Sequence, residues 1–187
     1  MAALLVISSG QQESNIFDIL EDIKPVRGRM ELAATRKNGA TVYVDYAHTP
    51  DAIEVALKSL KPHILGKLIV IIGAGGERDE GKRPLMGAAA EKNSDFVIIT
   101  DDNPRNEDPS SIHQMIKNGI QDNSKVTVIA DRAEAILTAV DLLEEGDGLL
   151  IAGKGHETEQ FIGENIFPFD DFEQASLSAA SLDGAEQ

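Results

Sequence analysis

The feature that most constrains the fold is an unbroken apolar run, Leu68–Ile72, that ends at Gly73. A strand that is hydrophobic at every position must be covered on both faces, which is typical of a parallel sheet. Similar runs follow at Phe96–Thr100, Val126–Ile129 and Leu149–Ala152, separated by amphipathic helical patterns. This alternation predicts an α/β fold with a mainly parallel sheet and helices on both faces.

The remaining segments complete this pattern. Met30–Arg36 and Thr41–Tyr46 alternate around Lys37-Asn38-Gly39, which predicts a β-hairpin. A strand pair around Gly163 is predicted at the edge of the sheet. Helices are predicted from Thr49, Asp108 and Asp131, and over Pro84–Glu91 and Phe172–Leu182.

The chain is expected to contain one main domain with short flanking segments. Residues 1–24 have a helical pattern that is too short and too apolar for a free domain, so we interpret them as the remnant of a preceding domain. Residues 25–29 form a predicted linker, because Pro25 ends a helix and Gly28 permits an unusual backbone. The main domain covers residues 30–182, and 183–187 are predicted to be a disordered tail.

Composition excludes several classes of function. The formal net charge of −15 argues against a nucleic acid as the main ligand. The chain has no cysteine, which excludes disulfides and thiolate metal sites. Its first residues have no basic segment and are too short for a signal peptide or a membrane span, so we expect a cytoplasmic protein without a membrane partner.

Chemically rich loops follow four of the predicted strands. They are Asp45–Asp51, Gly73–Pro84, Asp102–Arg105 and Gly153–Glu157. In open α/β sheets ligands bind at the carboxyl ends of strands, where such loops meet. Carboxylates can accept from an ammonium group and a guanidinium can pair with a carboxylate, so this combination suits a small zwitterion.

Each loop also has a purely structural interpretation. Asp102-Asn103-Pro104 is ordinary turn chemistry, and Gly153-Lys154-Gly155 can be a tight turn. Asp45–Asp51 can be a helix cap with a packed tyrosine. Gly73–Pro84 can be a flexible charged loop, since its spacing matches neither a dinucleotide-binding fingerprint nor a phosphate-binding loop with a Lys-Ser/Thr ending.

Taken together and in order, these loops and the segment Pro25–Glu31 resemble the C-terminal part of the Mur ligases, and within that family the members that add meso-diaminopimelate. The resemblance implies a Rossmann-like domain that closes over a central ATPase domain. It places Arg29, Asp45 and His48 toward ATP. It also implies a diaminopimelate site, formed by Arg78, Asp102, Asn103, Gly153 and Glu157, and Arg105 marks the diaminopimelate-type loop either as a ligand contact or as a loop brace.

The resemblance also shows what this sequence lacks. The family needs ATP and Mg²⁺ held by a phosphate-binding loop, acidic metal ligands and a modified lysine, and these would lie upstream of Met1, as would the domain for the UDP-MurNAc-dipeptide substrate. We therefore expect that the isolated chain does not catalyse ligation. The alternative is a non-catalytic binding module, or a subunit that completes an ATPase in trans.

Overall fold

The strands of the main sheet alternate with helices along the chain. The structure, a computed structural model, describes residues 26–184. Its main sheet has six strands in the order β1-β2-β6-β3-β4-β5, with β1 antiparallel to β2 and the others parallel. The strands are β1 (Glu31–Thr35), β2 (Thr41–Asp45), β3 (Leu68–Ile72), β4 (Phe96–Ile99), β5 (Val126–Val128) and β6 (Gly148–Ala152).

Helices cover both faces of this sheet, as the sequence predicted. They are α1 (Pro50–Leu60), α2 (Lys82–Asn93), α3 (Pro109–Lys117), α4 (Arg132–Asp141) and α5 (Asp171–Leu182). One core layer joins α1, α2 and α3 to the sheet, and the other joins α4 and α5 to its opposite face. Every residue of β3 and of β6 is buried, which explains why both read as continuous apolar runs.

The helices begin where capping residues satisfy free backbone N–H groups. Thr49 accepts from the N–H of Ala52 at α1, and Asp131 accepts from that of Glu134 at α4. Helix α2 extends beyond the predicted Pro84–Glu91 at both ends. It begins at Lys82, and Pro84 lies in its first turn, where a proline is tolerated.

The predicted strand pair around Gly163 is present but does not extend the main sheet. Strands β7 (Glu159–Ile162) and β8 (Asn165–Pro168) form a separate antiparallel hairpin. One isolated bridge joins it to the main domain, between Arg105 and Ile162. The hairpin therefore lies against the Asp102–Arg105 loop.

The predicted segment boundaries fall partly on the described residues. The helical remnant at 1–24 and Pro25 of the linker lie outside them. Asp183, which the sequence placed in a disordered tail, instead follows α5 directly and accepts from Nε of Arg36 at 2.8 Å. Residues 185–187 of the predicted tail are outside the described range.

Candidate functional site

The order of the strands places a crevice at their carboxyl ends. The chain proceeds from β3 to β4 and β5 in one direction and then returns to β6, on the other side of β3. Such a reversal opens a cleft between the loops that follow the two strands. Here it forms a cavity of about 190 Å³. The cavity is lined by Tyr46, His48, Gly73, Ala74, Gly75, Arg78, Lys82, Asp102, Asn103, Arg105, Gly153 and Glu157.

Two carboxylates in this cavity keep oxygens available for a ligand. Within the described part of the chain, the carboxylate of Asp102 accepts no hydrogen bond. Glu157 accepts through Oε2 from Nδ2 of Asn103 at 3.0 Å, which leaves Oε1 unused among the same residues. Free carboxylate oxygens at one cavity are suited to ammonium groups.

Two guanidinium groups supply the opposite charge. Arg78 is exposed and, within residues 26–184, forms no ion pair or side-chain hydrogen bond. Arg105 donates from Nη1 to the carbonyl oxygen of Gly76 at 2.8 Å and also lines the cavity. Its backbone is in the left-handed region, at φ 53°, and its N–H donates to the carbonyl oxygen of Phe161. Arg105 therefore braces its loop while part of its guanidinium stays at the cavity.

Asn103 and Gly153 shape the cavity in different ways. Asn103 is buried, and its amide is already bonded to Glu157, Lys154 and the N–H of Phe161. Gly153 has φ 122°, and a Cβ at this position would be 2.7 Å from Oδ2 of Asp102. Only glycine therefore allows the β6 loop to approach the Asp102 carboxylate so closely.

The residues predicted to face ATP lie at or near the rim. The guanidinium of Arg29 stacks over the ring of Tyr46 at 4.6 Å, and that ring meets the imidazole of His48 edge-on. His48 lines the cavity, whereas Asp45 does not. Oδ2 of Asp45 accepts from the N–H of Met30 at 2.8 Å, so one of its oxygens is used within the domain.

Comparisons with known proteins identify the family of this chain. Residues 28–155 match the family described as Mur ligase, glutamate ligase domain. The chain belongs to the Mur ligase family.

Its relatives include enzymes named UDP-N-acetylmuramoyl-L-alanyl-D-glutamate–2,6-diaminopimelate ligase. The one from Bradyrhizobium diazoefficiens is 48% identical over 97% of this chain, and the one from Synechococcus elongatus is 50% identical over 89%. A solved structure of the same name aligns with a TM-score of 0.79 at 38% identity and covers 97% of the chain. This chain spans 36% and 34% of those two relatives and 37% of the solved chain.

Other Mur ligases share the fold at lower identity. A UDP-N-acetylmuramate-alanine ligase from Thermotoga maritima aligns with a TM-score of 0.67 at 18% identity, a level that supports the fold alone. Within the described residues no helix has the length and apolar character to cross a membrane. Over the same range the structure has no group of three or more metal-ligating side chains.

The sequence did not predict that three cations next to this cavity are buried and hydrogen-bonded to the loops around it. Arg83 pairs with Glu107 at 2.8 Å and donates to the carbonyl oxygen of Gly75, bracing the Gly73–Pro84 loop. Arg132 forms a bidentate pair with Asp171 at 2.7 and 2.8 Å. Lys154 contacts Asn103 and Glu157. The position of Lys154 between two glycines at a strand end was the one sequence feature that could have suggested a role for it at this cavity.

Burial and neighbouring carboxylates shift the pKa values of two of these cations in opposite directions. Burial alone would lower the pKa of Arg132, but the carboxylates of Asp171, Asp102 and Glu157 together outweigh burial and raise it. Burial lowers the pKa of Lys154, and Arg132 adds to this while Asp102 and Glu157 oppose it. Arg132 also donates to the carbonyl oxygens of Asp101 and Ala152, the residues just before Asp102 and Gly153.

Proposed function

We propose that this chain is the amino-acid-binding C-terminal part of an ATP-dependent ligase. The complete enzyme would join meso-diaminopimelate to UDP-N-acetylmuramoyl-L-alanyl-D-glutamate in peptidoglycan synthesis. The observation that supports this most is the meeting of two guanidinium groups and two carboxylates, Arg78, Arg105, Asp102 and Glu157, at one cavity. The names of the relatives that match nearly the whole chain point to the same amino acid.

The charges of the cavity complement this amino acid. Diaminopimelate carries an ammonium and a carboxylate at each end. Asp102 and Glu157 provide acceptors for ammonium groups, and the planar guanidinium of Arg78 can form two parallel hydrogen bonds with a carboxylate. Lysine has the same two amino groups but only one carboxylate, so it would leave one guanidinium without a partner.

The nucleotide side of the reaction would lie at the rim of this cavity. ATP would supply the phosphoryl group that activates the acceptor carboxylate. Arg29 is exposed over Tyr46 and can meet a phosphate, and His48 stands beside it. Asp45 keeps one carboxylate oxygen for the nucleotide or for the closing domain. The preceding part of the cytoplasmic enzyme would hold Mg²⁺ and the phosphates.

Selective amino-acid binding tests the assignment. We expect the 187-residue chain to bind meso-diaminopimelate weakly and L-lysine more weakly, with the largest NMR shifts at Asp102, Asn103 and Gly153. Arg78→Ala should weaken diaminopimelate binding by about tenfold or more, because it removes a charge-assisted pair. An NMR titration is suitable because it detects millimolar affinities.

Arg78→Lys is the matched control, since it keeps the charge and removes the planar fork. It should recover only part of the affinity. Equal affinity of the wild-type chain for the two amino acids would overturn the substrate assignment. For the ligase itself, a Gly-Lys-Thr/Ser loop encoded upstream in the same reading frame would support the proposal, and an upstream sequence without such a loop would favour the binding module.

A further inference from the structure

Lys154 is a buried charge at the end of β6. Its side chain has no exposed surface, although it does not line the cavity. Nζ lies 2.6 Å from the carbonyl oxygen of Glu159, 3.0 Å from Oδ1 of Asn103 and 3.5 Å from Oε2 of Glu157. An ammonium has three N–H groups, and here each has an acceptor from a different segment.

These contacts determine how Asn103 presents its amide. Oδ1 of Asn103 accepts from Lys154 and from the N–H of Phe161, so this atom must be the oxygen. Nδ2 therefore faces the other way and donates to Oε2 of Glu157 at 3.0 Å. Without the ammonium, the amide would lose one of the two donors that define its orientation.

The same contacts select which oxygen of Glu157 is free. Oε2 is occupied by Asn103 and approached by Lys154, and within the described segment Oε1 has no partner. Glu157 lines the cavity, whereas Lys154 lies behind the lining residues. The lysine can therefore affect a ligand only through Asn103 and Glu157.

From this arrangement we propose that Lys154 is a positioning residue, whose ammonium sets Asn103 and Glu157 so that Oε1 of Glu157 points to an amino group of the incoming amino acid. This inference rests on the proposed function for the identity of the ligand. A purely structural role is a poorer explanation, because buried charges often add little stability compared with apolar residues of similar size. Two of the three acceptors of Lys154 are residues that line the cavity.

The test compares Lys154→Met with Lys67→Met in the 187-residue chain. Lys67 is exposed, and its side chain makes no hydrogen bond within residues 26–184. Lys154→Met should raise the dissociation constant for meso-diaminopimelate by about tenfold or more. It should also shift the side-chain amide signals of Asn103 and speed their exchange with water. Lys67→Met should leave both measurements unchanged.

Chemical rescue separates the ammonium from the shape of the side chain. The chain has no cysteine, so Lys154→Cys can be alkylated alone with 2-bromoethylamine in denaturant and then refolded. The resulting thialysine restores an ammonium and should restore both affinity and the Asn103 signals. Lys154→Gln, with a neutral donor, should give intermediate affinity, and it replaces the methionine variant if that variant does not fold.

Wild-type affinity in Lys154→Met or Lys154→Gln would overturn the inference, as would unchanged Asn103 amide signals. The two proposals fail in different ways. If the wild-type chain binds no diaminopimelate, the proposed substrate is wrong. The side-chain amide signals of Asn103 in Lys154→Met would still show whether Lys154 positions Asn103.

Discussion

The two edges of the main sheet use carboxylates in opposite ways. At the edge where the parallel strands begin, Asp147 accepts from the N–H groups of Lys67 and Glu144 at 2.6 and 3.0 Å. Asp95 accepts there from the N–H of Leu68 at 2.8 Å. At the edge where the strands end, Asp102 and Glu157 keep free oxygens at a cavity. Asp147 and Asp95 therefore satisfy backbone N–H groups at one edge, whereas Asp102 and Glu157 keep oxygens available for the proposed ligand at the other.

The largest effect is expected when equivalent changes are made at the two edges. Asp147 is buried, and Asp147→Asn places an amide nitrogen against a backbone N–H. Weakening two charge-assisted hydrogen bonds should lower the free energy of unfolding by about 4 kcal/mol. Asp102→Asn should cost about 1 kcal/mol or less, because no hydrogen bond within residues 26–184 is lost and only the attraction between its charge and the buried Lys154 and Arg132 is removed. Urea unfolding measures both.

Ligand binding should respond in the reverse order. Asp102→Asn should weaken diaminopimelate binding by about tenfold or more, since a charged acceptor for an ammonium becomes neutral. Asp147→Asn should bind like wild type at a temperature where it is folded. A stability loss in Asp102→Asn as large as that in Asp147→Asn would show that the edges do not differ as described.

Much of this contrast could be predicted from the sequence, because strand direction is implied by a parallel fold. Asp102 follows β4 and Gly153 follows β6, so both were assigned to the ligand edge, and the structure brings them together. The hydrophobic runs also predicted both core layers. These signals are local and periodic, and burial on two faces produces them directly.

What the sequence could not predict is the direction of individual polar side chains. Lys154, between two glycines, could equally have pointed into solvent, and only the packing of β7 shows that it is buried. Arg105 was left open between ligand contact and brace, and the structure shows the brace to the Gly76 carbonyl oxygen. Such contacts join residues far apart in the chain, so no short-range pattern encodes them.

Two glycines extend the comparison to the backbone, with a smaller expected effect. Gly28, at the ligand edge, has φ 66°, and a Cβ there would be 2.2 Å from the nitrogen of His156. Gly39, in the hairpin turn at the other edge, has φ 86° and no atom within 4 Å of its Cβ position. Gly28→Ala should lower the free energy of unfolding by about 3 kcal/mol, from strain and overpacking together, and Gly39→Ala by about 1 kcal/mol, from strain alone.

Thermal and urea unfolding of the two variants measure this difference. Gly28→Ala should also perturb ligand binding, because Gly28 packs on the Gly155 segment of the β6 loop. Equal losses in the two alanine variants would mean that the close approach at Gly28 contributes nothing.

The smallest effect concerns the pH dependence of Asp95, at the edge where the strands begin. Burial by itself would raise the pKa of Asp95, but hydrogen bonds from the Leu68 N–H and the Lys61 ammonium outweigh burial and lower it. A carboxyl whose pKa is lower in the folded than in the unfolded chain stabilises the fold above its unfolded pKa of about 3.9. That stabilisation is lost as the pH falls through the folded pKa.

Asp95→Asn should therefore cost less than about 1 kcal/mol at neutral pH, since the Asp95 side chain is 45% exposed and its ion pair with Lys61 is screened by solvent. The difference from wild type should stay constant from about pH 7 to pH 5 and shrink below about pH 4, because the amide does not titrate. Urea unfolding of both proteins over this range measures it. A difference that persists unchanged into acid would show that it does not come from the charge of Asp95.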